Sequence, residues 1–240
     1  MNATNSQSPT IVLVHGALTD ASVWHGVIRL TQAAGHHVVA PSLPLRGLAS
    51  DAAYLASFLE SVPGPIVLVA HSYAGSVISH PATLDPKVKA LVFIAAFQPD
   101  AGESSAELNE RFPGSKLGPA TTTVVPRPGG NDMYLKPEAF GEVYAGDVAP
   151  DVVSVMAAAQ RPIDPAALGE TLPARATWHD LPSWALVSTR DLSLPPQLLG
   201  FTARRAESHI VEVESSHAVP VSHPREVTEV VLEAVRCALS

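Results

Sequence analysis

Unbroken runs of apolar, largely β-branched residues, each closed by a breaker, constrain this chain more than any other feature. Thr10 to Val14 (TIVLV), Pro65 to Ala70 (PIVLVA) and Ala90 to Phe97 (ALVFIAAF) show no alternation of apolar and polar residues. A strand with one wet face alternates, whereas a strand covered on both faces does not. His37 to Ala40 (HVVA), Trp184 to Ser188 (WALVS) and Ile210 to Val213 (IVEV) add three shorter runs. The segments between them read as helices. Asp20 or Ser22 can cap one that runs to about Ala34. Asp51 to Val62 sets Ala52, Leu55, Phe58 and Leu59 on one face, and further helices fall near Pro195 to Arg205 and Arg225 to Leu239. Strands of this kind alternating with helices specify an α/β chain: a mainly parallel six-stranded sheet with helices on both faces.

One stretch breaks the rhythm. Residues 98–180 hold 10 of the 22 prolines and 8 of the 15 glycines, so a third of the chain carries about half of its breakers. No clear strand is legible there, and two helices are expected, near Pro137 to Tyr144 and Asp151 to Gln160. Strands of the earlier kind resume afterwards, so the stretch reads as an insertion packed over one edge of the sheet. Residues 1–97 and 181–240 then form the core and 98–180 a helical or irregular cap, within one domain overall.

Composition removes several function classes. Fifteen Lys and Arg against 23 Asp and Glu give a net charge of −8, with no basic stripe for nucleic acid to meet. A lone cysteine, Cys237, rules out an intrachain disulfide and a cysteine metal cage. The first ten residues, MNATNSQSPT, lack a basic or apolar leader pattern, and no apolar run reaches 18 residues. The expectation is a cytoplasmic protein without a membrane span.

The chemistry concentrates at three strand ends. PIVLVA runs directly into His71-Ser72-Tyr73-Ala74-Gly75, where a helix should begin. A serine wedged between a buried strand and a helix has the geometry of a nucleophile elbow. The positions two before and two after it, Ala70 and Ala74, are small enough for the turn to close, although the strict G-x-S-x-G pattern has glycine at both. The first strand ends at His15-Gly16-Ala17, a turn that can aim the Ala17 N–H at the oxyanion shared with the N–H of Tyr73. The last strand ends at Ser215-Ser216-His217, which puts a histidine at a carboxyl end of the sheet, where ligands gather in open α/β folds. Of the eight aspartates between Ser72 and His217, two closely follow a strand: Asp100 and Asp191.

With these pieces in place the sequence resembles the α/β-hydrolase fold superfamily. It is similar to the group containing plant methylesterases, hydroxynitrile lyases and bacterial carboxylesterases. IVLVHGALTDASVW, VAHSYAGSVI, VSTRDLSLPP and ESSHAVPVSHP carry the resemblance. It implies a catalytic triad in the chain order Ser72, Asp191, His217, with backbone donors from Ala17 and Tyr73 as the oxyanion hole. It also implies a serine hydrolase of small carboxylic esters that uses no cofactor or metal. Hydroxynitrile lysis or peracid formation on the same scaffold, and a non-catalytic receptor for a small apolar ligand, are the alternatives. Lyase relatives place a lysine beside the histidine and a threonine hydroxyl after the first strand, where this chain has Ala218 and Ala17.

The remaining candidates read as structural. Ser76 lies a turn deeper in the elbow helix, and Pro81 should end that helix near His80. His15 and His71 suit backbone hydrogen bonds, His36-His37 a solvated turn, and His209 and His223 the start of a strand and of a helix. Asp51, Asp85 and the aspartates of 98–180 read as caps, turns or solvated charge, and Cys237 as inert. Phe97, Met133, Tyr134, Phe140 and Trp178 are the candidate apolar lining of a substrate pocket.

Overall fold

The strand β1 (Thr10–Val14) is buried along its whole length, as an unbroken apolar run requires. It opens the order of elements in the computed structural model, which describes residues 8–238. After it come α1 (His25–Ala33), β2 (Val38–Val39), α2 (Leu48–Ser61), β3 (Ile66–His71), α3 (Ala74–Ser79) and β4 (Val88–Ile94). The middle third carries α4 (Ser105–Arg111), β5 (Thr122–Arg127), β6 (Gly130–Leu135), α5 (Pro137–Tyr144), α6 (Pro150–Ala159) and α7 (Ala166–Gly169). The chain closes with β7 (Ser183–Ser188), α8 (Pro196–Arg205), β8 (His209–Val213), α9 (Val219–Ser222) and α10 (Pro224–Cys237).

Six strands form one sheet in the order β2-β1-β3-β4-β7-β8, every neighbouring pair parallel. The sheet splits the core in two by simple alternation. Val12, Val14, Leu68 and Ala70 face α2 and α3, while Ile11, Leu13, Val67 and Val69 face α1, α8 and α10. The chain leaves β1 for β2 on one side and returns to β3 on the other. The carboxyl ends of β1 and β3 therefore flank the point where strand order reverses, the natural crevice of such a sheet.

Several expectations need correction. Residues 98–180 do contain strands: β5 and β6 pair as an antiparallel hairpin from Thr122↔Leu135 to Arg127↔Gly130. Its two-residue loop is Pro128-Gly129, with Gly129 at φ +77°, the Pro-Gly placement of a type II turn. β4 stops at Ile94 rather than Phe97, because Ala95 turns to φ +43°. α2 starts at Leu48, three residues before Asp51. Asp51 is no solvated charge: it is fully buried, and its carboxylate accepts the Arg46 N–H at 3.2 Å. Pro81 has the expected effect, and α3 ends at Ser79 with His80 extended. The expected end of the last helix, Leu239, and the first seven residues lie outside the described residues. Among the described residues no helix is long and apolar enough to cross a membrane.

Candidate active site

β3 runs into Ser72, which the backbone holds at φ +57°, a left-handed conformation uncommon for a residue with a side chain. Strain of this kind persists only where surrounding structure enforces it. Here the enforcement is visible on every side. The Ser72 N–H donates to the Ile94 carbonyl at 3.3 Å, and the Ser72 carbonyl accepts from Gly75 at 3.0 Å and Phe97 at 3.2 Å. A methyl group on Gly75 would collide with the Phe97 carbonyl, so glycine is required one position beyond the usual motif.

Gly16 is the second tight contact. A methyl group there would lie 2.6 Å from Ser72 Cβ and 2.8 Å from the His71 carbonyl oxygen. Its absence lets the β1 turn close onto the elbow and brings Ala17 and Tyr73 to line one cavity with Ser72. Neither the Ala17 nor the Tyr73 N–H finds an acceptor among the described residues. His15 sets the turn. Its Nε2 accepts the Leu43 N–H at 3.0 Å, which leaves Nδ1–H to donate to the Gly16 carbonyl at 2.9 Å. Burial lowers the pKa of His15, consistent with this neutral form.

Ser72 Oγ lies 2.8 Å from His217 Nε2, and His217 Nδ1 lies 2.6 Å from Asp191 Oδ2. The other carboxylate oxygen, Oδ1, accepts the N–H groups of Ser193 at 2.8 Å and Leu194 at 2.9 Å. With Nδ1–H given to the carboxylate, the Nε2 lone pair faces the serine hydroxyl. All three side chains are buried. The arrangement can draw a proton from Ser72 and hold the resulting imidazolium against a fixed anion.

Other residues expected near the chemistry sort clearly. Asp100 pairs with His179 Nε2 at 3.1 Å, and the carboxylate on His217 is that of Asp191. His71 donates Nε2–H to the His217 carbonyl at 2.8 Å, and burial, with His217 beside it, holds its pKa well below the ordinary value. Ser76 Oγ pairs with Ser105 Oγ at 2.8 Å. Phe97 and Met133 line the cavity over Ser72. Tyr134, Phe140 and Trp178 do not. Tyr134 follows Met133 along β6 and so points to the opposite face. Phe140 is buried behind the site, stacked on Tyr144. Trp178 gives its indole N–H to the Pro99 carbonyl at 2.9 Å and packs under Arg205.

Three contributors were not legible in the sequence. Tyr144 stands edge-on to the His217 ring, centroids 4.8 Å apart, and its carbonyl accepts the Ala218 N–H at 2.9 Å. Asp147 accepts both the N–H of Ser216, at 3.0 Å, and its hydroxyl, at 2.5 Å. Burial pushes the Asp147 carboxyl up, but these hydrogen bonds outweigh it and hold its pKa below the usual value. Tyr73, expected for its N–H alone, also donates its hydroxyl to buried Asp51 at 2.9 Å; burial raises the pKa of both groups.

A model of the alpha/beta hydrolase family matches residues 11–230. The chain belongs to that family. Methylesterase 2 of Arabidopsis thaliana is 32% identical over 119 residues, 43% of this chain and 45% of that protein. An alpha-hydroxynitrile lyase of the same plant is 31% identical over 115 residues, 42% of this chain and 45% of that protein. The matched stretch thus spans less than half the length of either relative. The crystal structure of polyneuridine aldehyde esterase shares the fold, with a TM-score of 0.79 over 95% of this chain and 99% of that one, at 22% identity.

Proposed function

We propose that this alpha/beta hydrolase cleaves small carboxylic esters through an acyl-serine intermediate, using its own side chains and no cofactor. The observation that carries the reading is the unbroken hydrogen-bonded series Ser72 Oγ, His217, Asp191, with two backbone N–H groups beside it that have no acceptor among the described residues. The esterase named among its relatives points the same way.

In the reaction His217 Nε2 takes the hydroxyl proton as Ser72 Oγ attacks the ester carbonyl carbon. The carbonyl oxygen becomes an oxyanion held by the N–H groups of Ala17 and Tyr73, while Asp191 stabilises the imidazolium. The bond to the alcohol oxygen then breaks, and His217 returns its proton to the departing alcohol. Water repeats the attack on the acyl-serine with His217 again as base. The acid leaves, and Ser72 recovers its proton.

Cyanohydrin cleavage would ask more of the site than it offers. A departing cyanide needs a cation in a dry pocket, and the neighbours at issue, Ala17 and Ala218, carry neither charge nor hydroxyl. The test is labelling with a fluorophosphonate, read by intact mass and peptide mapping. A single adduct on Ser72 is expected, lost in Ser72→Ala together with a kcat fall on the order of 10⁴-fold or more. No adduct on the folded protein would sink the reading. So would cyanide release from mandelonitrile above the Ser72→Ala background with short-chain esters untouched.

A further inference from the structure

The cavity over Ser72 is walled mostly by apolar side chains, among them Leu18, Phe97, Leu117, Met133 and Leu194. Besides the catalytic groups, polar lining comes from Ser193 and from one helix. Ser105 and Asn109 stand four residues apart on α4, hence on one face, and both line the cavity.

The orientation of the Asn109 amide follows from its neighbours' chemistry. Ser115 Oγ lies 2.8 Å from the Ser193 carbonyl oxygen, which can only accept, so the Ser115 hydroxyl proton is committed there. What remains on Ser115 Oγ is lone pairs, and they meet the Leu117 N–H at 3.2 Å and Asn109 Nδ2 at 3.1 Å. Reversing the amide would set its oxygen against the Ser115 oxygen with no proton between them. The NH₂ group therefore belongs to Ser115, and the carbonyl Oδ1 is left over. That Oδ1 is buried and has no hydrogen-bond partner among the described residues. Native folds seldom leave a buried acceptor unpaired, and one on a cavity-lining side chain can be completed by a donor that enters the cavity.

We propose that Asn109 Oδ1 accepts a hydrogen bond from the substrate, so the esters preferred at Ser72 carry a hydroxyl or N–H group on the part lying against α4. This rests on the ester-hydrolase reading. The ester linkage itself cannot satisfy Asn109, because both of its oxygens are acceptors; a separate donor is needed. Such a site rejects an analogue lacking the donor more sharply than an apolar wall rejects a change of one methylene.

The test uses methyl phenylacetates bearing a hydroxyl, a methyl or a methoxy group at the ortho, meta or para position, the hydroxyl-to-methyl ratio being the main readout. For at least one position wild type should favour the hydroxyl ester by about 10-fold or more in kcat/KM, and Asn109→Leu should bring that ratio to about 1 or below. Ser115→Ala gives a second reading: with its partner gone the amide can turn, and the preference for hydroxyl over methoxy should shrink. Ratios near 1 at all three positions in wild type would overturn the proposal, as would a ratio unchanged in Asn109→Leu. Hydrolysis of p-nitrophenyl acetate by wild type separates the two failures. If it persists while the ratios are flat, only the recognition by Asn109 falls; if no ester is cleaved and Ser72 is not labelled, both readings fall.

Discussion

The carboxyl ends of β1 and β3 and the segment between β4 and β7 meet at Ser72, and they are held by different means. On the sheet side the determinant is closeness. Gly16 and Gly75 sit where a single methyl group would collide with Ser72 or with the Phe97 carbonyl, and the strand pairing below fixes everything else. On the other side the determinant is hydrogen bonding between residues far apart in sequence. Ser216 and Ala218, the neighbours of His217, are tied to Asp147 and to the Tyr144 carbonyl, and Ser193 beside Asp191 is tied to the Val143 carbonyl at 2.9 Å. Steric fit tolerates almost no substitution, whereas a hydrogen-bonded tether can be weakened in steps. The two halves of the site should therefore fail differently.

The largest effect expected is at Asp191. Asp191→Asn keeps the shape but offers His217 a donor in place of an acceptor, so kcat should fall by about 10⁴-fold, as in serine proteases. Asp100→Asn, which touches His179 and not the relay, should stay within about 3-fold in the same steady-state assay. Comparable losses from both would break the assignment of the acid. On the sheet side Gly16→Val should cost on the order of 10²–10³-fold in kcat by moving the Ala17 N–H off the oxyanion. KM should change little, and circular dichroism would show whether the fold survives. On the tethered side Asp147→Ala should lower kcat on the order of 10-fold, inside the range that misplacing a catalytic group by about 1 Å can cause. Asp147→Glu should recover part of it, and an Asp147→Ala loss as large as that of Gly16→Val would erase the contrast. The smallest effect separates the two faces of β6. Met133→Ala should destabilise by about 2 kcal/mol and raise KM, because it empties buried space over Ser72, while half-buried Tyr134 should tolerate alanine at under about 1 kcal/mol in urea unfolding.

The same contrast decides what could be read from sequence. The buried strands announce themselves because burial on both faces leaves no room for polar residues, and Ser72, His217 and Asp191 stand at their ends. β5 hides for the opposite reason. Val124 and Val125 are about half exposed, Pro126 interrupts the run, and no alternation marks one face. The retrievable signal was the turn: a β-branched TTVV, then Pro128-Gly129, then DMYL. Asp147 and Asn109 carry no such signal, since an aspartate in a loop and an asparagine on a short helix have many uses. Their meaning comes from Ser216, 69 residues on, and from Ser115, whose only hydroxyl proton goes to Ser193. Asp51 misled for a related reason: at the start of a helix it resembles a solvated cap, and the Tyr73 hydroxyl and the Arg46 N–H that it accepts explain its burial.

The tether at Tyr144 and Asp147 also restricts how a molecule can reach Ser72. Raising α5 and the turn after it as a hinged flap would pull the carbonyl of Tyr144 from Ala218 and the carboxylate of Asp147 from Ser216 in one motion. A protein opened that way would admit its guest with His217 already adrift. Traffic compatible with an intact relay must instead pass where no such tie is broken, with the floor of the chamber fixed while another part of the wall gives way.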